Sequence, residues 1–82
     1  MIKLLFFGRL GDATYAAPEV FEASVGLTAA GVRDALSSLY PALGRALFEP
    51  QVLVSVDRVI VDWQQPLLDG CELAFLPPVT GG

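Results

Sequence analysis

Apolar residues crowd the start of the chain: residues 2–7 read I-K-L-L-F-F, with Lys3 the one polar interruption before Gly8. So dense a run suits a central strand buried on both faces and ended by Gly8. Residues 8–18 lose the pattern and collect Gly11, Asp12 and Pro18, which predicts a loop. Residues 20–25 (V-F-E-A-S-V) alternate weakly and make a second strand, placed to hairpin with the first. The period then changes. Ala29, Val32, Leu36 and Leu39 recur at intervals of three and four, and Ala35 widens the stripe. With Thr28 as N-cap and Pro41 as the stop, this spacing predicts an amphipathic helix over residues 29–40. Gly31 weakens its first turn by about 1 kcal/mol relative to alanine. Residues 42–48 add a short helical turn before Pro50.

Val52, Val54 and Val56 then lie on one face of a third strand, and residues 59–61 make a fourth. Asp57 and Arg58 occupy the two positions of a tight hairpin turn between them. Residues 63–70 form a loop containing Pro66, with Leu67 and Leu68 turned inward, and residues 72–76 form the last strand, which delivers the chain to Pro77. This order predicts an α+β fold: a mixed sheet of about five strands with one main helix on one face.

At 82 residues, 54% of them hydrophobic and 17% charged, the chain has the composition of one folded core and not of a disordered segment. No apolar run exceeds four residues, which argues against a membrane span, and no secretory leader is visible, so a cytoplasmic location is expected. The net charge is −4 and the five cations, Lys3, Arg9, Arg33, Arg45 and Arg58, are scattered, a balance unsuited to nucleic acid. A single cysteine, Cys71, cannot close an internal disulfide or build a thiolate metal site, and no histidine is present to act as general base or metal ligand. Catalysis by this chain alone, a metal site and a stably bound cofactor are therefore not expected.

The chemistry concentrates at the end, where residues 75–82 read F-L-P-P-V-T-G-G. Pro77 and Pro78 have fixed φ and bias the segment toward an extended conformation that projects from the body. Gly81 and Gly82 have no Cβ and can thread a tunnel in which a branched residue would jam. Together they turn the α-carboxylate of Gly82 into a thin chemical probe. It is ionised at neutral pH and a poor electrophile, so it needs activation. Phe75, Leu76 and Val79 are too apolar for a free tail and read as part of a docking surface with Phe7 nearby; for Phe7 and Phe75 the alternative is an ordinary place in the core. Arg9 is either a partner for an acidic patch on another protein or a solvated loop residue. Nothing beside Cys71 in the sequence lowers its pKa, so it is not expected to relay sulfur.

Four segments, residues 1–7 (M-I-K-L-L-F-F), 28–41 (T-A-A-G-V-R-D-A-L-S-S-L-Y-P), 66–70 (P-L-L-D-G) and 72–82 (E-L-A-F-L-P-P-V-T-G-G), carry a wider likeness. They resemble the β-grasp, ubiquitin-like sulfur carriers, and among them the small subunits of molybdopterin synthase. The resemblance implies a β-grasp domain over residues 1–76 and an extended diglycine tail over residues 77–82. It implies that an adenylyltransferase of the ubiquitin-activating type uses ATP to adenylate Gly82. A sulfur donor, of cysteine desulfurase or rhodanese type, then displaces AMP to leave a C-terminal thiocarboxylate. Inserted into the large subunit of the synthase, that sulfur would pass to cyclic pyranopterin monophosphate during molybdenum cofactor biosynthesis. Gly81 and Gly82 would then be the reacting end, and Phe7, Arg9, Phe75, Leu76, Pro77, Pro78, Val79 and Thr80 the partner-binding residues. Two other readings stay open: a thiamine-type sulfur carrier, and a modifier conjugated to lysines through Gly82.

Overall fold

A computed structural model describes residues 1–78. Five strands form one sheet: β1 (Ile2–Phe6), β2 (Val20–Phe21), β3 (Leu53–Val56), β4 (Val59–Val61) and β5 (Glu72–Leu76). Their spatial order is β2-β1-β5-β3-β4, with β1 and β5 parallel and every other pair antiparallel. Two helices, α1 (Ala29–Leu39) and α2 (Pro41–Leu47), cover one face. This is the mixed α+β sheet that the order of elements predicts.

Local chemistry explains most boundaries. The Thr28 hydroxyl accepts a hydrogen bond from the Gly31 N–H at 3.1 Å, so the glycine expected to weaken α1 carries its N-cap bond. Pro41 both ends α1 and begins α2, where its missing N–H costs nothing. The second helix thus has the seven-residue length expected for residues 42–48, set one residue earlier. Asp57 and Arg58 both have positive φ, 48° and 71°, as the tight β3–β4 hairpin requires. Asp57 also ties that turn to β5: its N–H donates to the Glu72 carbonyl, and its carboxylate accepts from the Glu72 N–H, both at 2.9 Å.

The core is built from alternate strand positions and the inner helix stripe. Ile2, Leu4, Val54, Leu73 and Phe75 meet Val32, Leu36, Leu43 and Leu47, all of them buried. Phe75 stacks on Phe6 with ring centroids 5.2 Å apart, and the Trp63 ring lies 6.1 Å away. Leu10, placed in a loop by the sequence, is fully buried within a 3-10 turn at Gly8–Gly11.

Three expectations fail for identifiable reasons. The first strand is covered on one side only: Ile2 and Leu4 are buried, Lys3 is exposed and Leu5 half-buried, because both helices lie on the same face. The second strand stops at Phe21 instead of residue 25. Val20 pairs with Lys3 and Phe21 with Ile2, so β1 has almost no residues left to pair beyond that point. Leu68 is exposed while Leu67 is buried, its N–H donating to the Leu27 carbonyl; only one of the two neighbours can turn inward.

Candidate functional site

Strand alternation sends every second side chain to the face without helices. There Leu5 lies beside Ala74, Ala74 beside Ser55, and Ser55 beside Ile60, forming one row across four strands. Leu53 and Leu76 make a neighbouring pair. Ser55 and Ala74 are small and nearly buried, so they form the floor of a groove of about 480 Å³ whose walls are Leu5, Phe7, Ile60 and Leu76. Lys3, Arg58 and Glu72 supply charge at its rim. Leu53 and Ile60 are 51% and 56% exposed, and Phe7 is 46% exposed. A contiguous apolar surface of this kind, rimmed by charge, is the ordinary signature of a protein-docking face.

The same face leads to the tail. The Phe7 N–H donates to the Phe75 carbonyl at 3.0 Å, which extends the β1–β5 pairing by one step. β5 ends at Leu76, and Pro77 and Pro78 follow, each half-buried. The described chain thus ends two residues past Leu76, one of the groove's walls.

Of the partner-binding residues expected from sequence, Phe7 and Leu76 lie on this face and Pro77 and Pro78 at its exit. Arg9 already has a partner, the Glu49 carboxylate at 2.7 Å, in an exposed ion pair. Phe75 is different. It is fully buried, because it alternates with Ala74 and Leu76 and so faces the helices, and it has no surface to offer a partner. Its place is in the core, the second of the two readings. Val79, Thr80, Gly81 and Gly82 lie outside the described residues.

Leu5, Leu53, Ile60 and Ala74 were not singled out from sequence. The available signal was an apolar residue at the off-phase positions of β3 and β4, Leu53 beside Val54 and Ile60 between Val59 and Val61. Cys71 is buried on the helix side; burial, and after it the carboxylates of Asp57 and Asp69, push its thiol above the usual range. Among the described residues, no three acidic, cysteine or histidine side chains group as a metal site. What those residues build is an uncovered apolar groove beside the end of β5.

A model of the ThiS family matches residues 4–82. The chain belongs to the ThiS family. It is 34% identical to the molybdopterin synthase sulfur carrier subunit of Escherichia coli (strain K12), with all of both chains covered. Among solved structures, this ThiS-family chain superposes on the small archaeal modifier protein 1 of Haloferax volcanii with a TM-score of 0.80, at 22% identity, covering 95% of this chain and 97% of that one. It also superposes on a chain from the complex of subunits 1 and 2 of the molybdopterin-converting factor of Helicobacter pylori 26695, with a TM-score of 0.62, at 23% identity and coverage of 99% and 97%. These structural likenesses support the fold of this chain, a β-grasp mixed sheet.

Proposed function

We propose that this chain is the sulfur carrier subunit of a molybdopterin synthase and that its C-terminal Gly82 is the atom-bearing end. The observation that carries this reading is the continuity of an uncovered apolar face with the exit toward a P-P-V-T-G-G terminus. Full-length similarity to a protein named for that role supports it. The face would dock on the large subunit, and the tail would reach into that subunit's site. The same end would first be presented to an adenylyltransferase. The Gly82 carboxylate attacks the α-phosphorus of ATP, pyrophosphate leaves, and a sulfide equivalent from the sulfur donor then displaces AMP to give the thiocarboxylate. The groups that activate, deprotonate and bind phosphate belong to partners, and this chain contributes the reacting group and its placement, the proximity part of catalysis. ATP is consumed by the partner and is not held here.

The test combines the chain with the adenylyltransferase, ATP and a sulfur donor, then with the large subunit and cyclic pyranopterin monophosphate. Mass spectrometry is expected to show one oxygen exchanged for sulfur at Gly82, followed by molybdopterin formation, and deletion of Gly82 is expected to abolish both. Lysine-linked adducts in place of a thiocarboxylate would assign the chain to protein modification. A thiocarboxylate that the synthase ignores and thiazole synthesis consumes would assign it to the thiamine pathway.

A further inference from the structure

We propose that Gly8 is the seat that aims the C-terminal tail, a positioning role that rests on the sulfur-carrier reading above. After Phe7, whose backbone is extended, the chain turns at Gly8 with φ +54°, a conformation that side chains rarely adopt. A Cβ built on Gly8 would lie 2.9 Å from Cγ of Pro77. The proline ring therefore rests against a surface that only glycine leaves open. Proline has no N–H with which to join the ladder, so packing replaces hydrogen bonding as the constraint at the first residue beyond β5.

The seat itself is held from several sides. Phe7 is bonded to Phe75, the Leu10 N–H donates to the Phe7 carbonyl at 3.1 Å, and Leu10 is fully buried beneath the turn. Arg9 ties the same turn to Glu49, just past α2. The turn cannot easily yield. A side chain at position 8 would displace Pro77, and the ring transmits that displacement because it is fused to the backbone.

The consequence grows with distance. Five residues follow Pro77, and held straight in a partner's channel they span at most about 17 Å. A tilt of about 10° at the root would then move the reacting end by about 3 Å, and a 1 Å misplacement can already cost about a hundredfold in rate. Phe7 and Leu76, which line the docking face, need not move at all. Substitution at Gly8 is thus expected to lower the rate of sulfur transfer and to leave docking intact.

The experiment uses full-length chains carrying a chemically made thiocarboxylate, which bypasses the activating enzyme, with saturating large subunit. Gly8→Ala is expected to slow transfer at saturation by about ten- to a hundredfold while the affinity for the large subunit is retained. Gly8→Asn carries the same Cβ but tolerates the left-handed conformation better, so it keeps the fold more easily and is expected to be equally slow. Pro77→Ala removes the atom that collides and costs less alone. The double variant Gly8→Ala with Pro77→Ala is expected to match Pro77→Ala, a rescue that a purely structural role for Gly8 would not give. Wild-type transfer by Gly8→Ala, or a double variant as slow as the product of the two single losses, would overturn the proposal. Failure of the wild-type thiocarboxylate to transfer sulfur would instead overturn the sulfur-carrier reading and this proposal with it.

Discussion

On the helix side of the sheet, Ile2, Leu4, Val54, Leu73 and Phe75 are each at most 3% exposed, whereas on the other side Leu53 and Ile60 keep more than half of their surface in contact with solvent. The strands are the same and the residue types nearly so. Hydrophobicity therefore does not separate the faces; coverage does. With a mean hydropathy of +0.57, this chain carries more apolar side chains than one pair of short helices can cover. Part of the surplus, Leu5, Phe7, Ile60 and Leu76, lines one groove beside the end of β5, while Val25, Leu39 and Leu68 stand exposed elsewhere on the surface.

The largest effect is expected from truncating one aromatic on the covered side. Phe75→Ala is expected to cost about 3–5 kcal/mol, the usual penalty for emptying a buried phenylalanine site. Against a total stability of roughly 4–12 kcal/mol for a domain of this length, that is a large share, and denaturant unfolding measures it directly. Retention of the wild-type midpoint would show that Phe75 is not packed between Phe6 and Trp63. On the uncovered side, Ile60→Glu is expected to shift stability by no more than about 0.5 kcal/mol. It should instead weaken binding to the large subunit by about 2 kcal/mol, roughly thirtyfold, as for a central interface residue. Unfolding without loss of affinity would reverse the roles assigned to the two faces.

The covered face was largely legible in the sequence. Val52 and Val54 alternate into the core, Thr28 caps α1, and the Asp57–Arg58 turn separates β3 from β4 where the pattern placed it. The uncovered face was not. Leu5 and Leu53 are as apolar as their buried neighbours, and period-two alternation cannot show which side lacks a covering layer. Phe75 illustrates the ambiguity: its position in an apolar tail segment suggested docking, while its strand phase decided for the core. Leu10 escaped notice because a residue buried from a 3-10 turn leaves no periodic trace. At the tail, Pro77 could be read as a projecting element, but its seat on Gly8 depends on a contact between residues nearly seventy positions apart.

Cys71 probes the covered face chemically. The thiolate is the reactive form, and with the pKa raised by burial and by the carboxylates of Asp57 and Asp69, less of it exists at any neutral or mildly alkaline pH than in an ordinary cysteine. Alkylation of the folded protein is expected to be slower than that of the unfolded chain at the same pH, with the gap closing as denaturant is added. Cys71→Ser should lower stability by about 1–3 kcal/mol, because a hydroxyl replaces a thiol among apolar neighbours, and should leave sulfur transfer intact. Rapid labelling of the native state, or turnover lost with the fold preserved, would give Cys71 a part in the chemistry.

Arg58 is the position where the two faces can be separated within one side chain. Its backbone, at φ 71°, holds a left-handed conformation that suits glycine, while the residue itself lines the uncovered groove. Arg58→Gly relieves the backbone strain, offset in part by the greater freedom of glycine in the unfolded chain, for a net gain of about 0.5–1 kcal/mol. Asp57 keeps its bonds to Glu72, so the hairpin stays tied to β5. Docking should move the other way. Loss of a rim cation slows association a few-fold at low salt and makes it less sensitive to salt, with little change in dissociation. Thermal melts and stopped-flow association at two ionic strengths read the two effects independently. If the variant is less stable, the turn is not strained as its φ implies; if association keeps its rate and its salt dependence, the charged rim takes no part in docking and the apolar groove alone carries it.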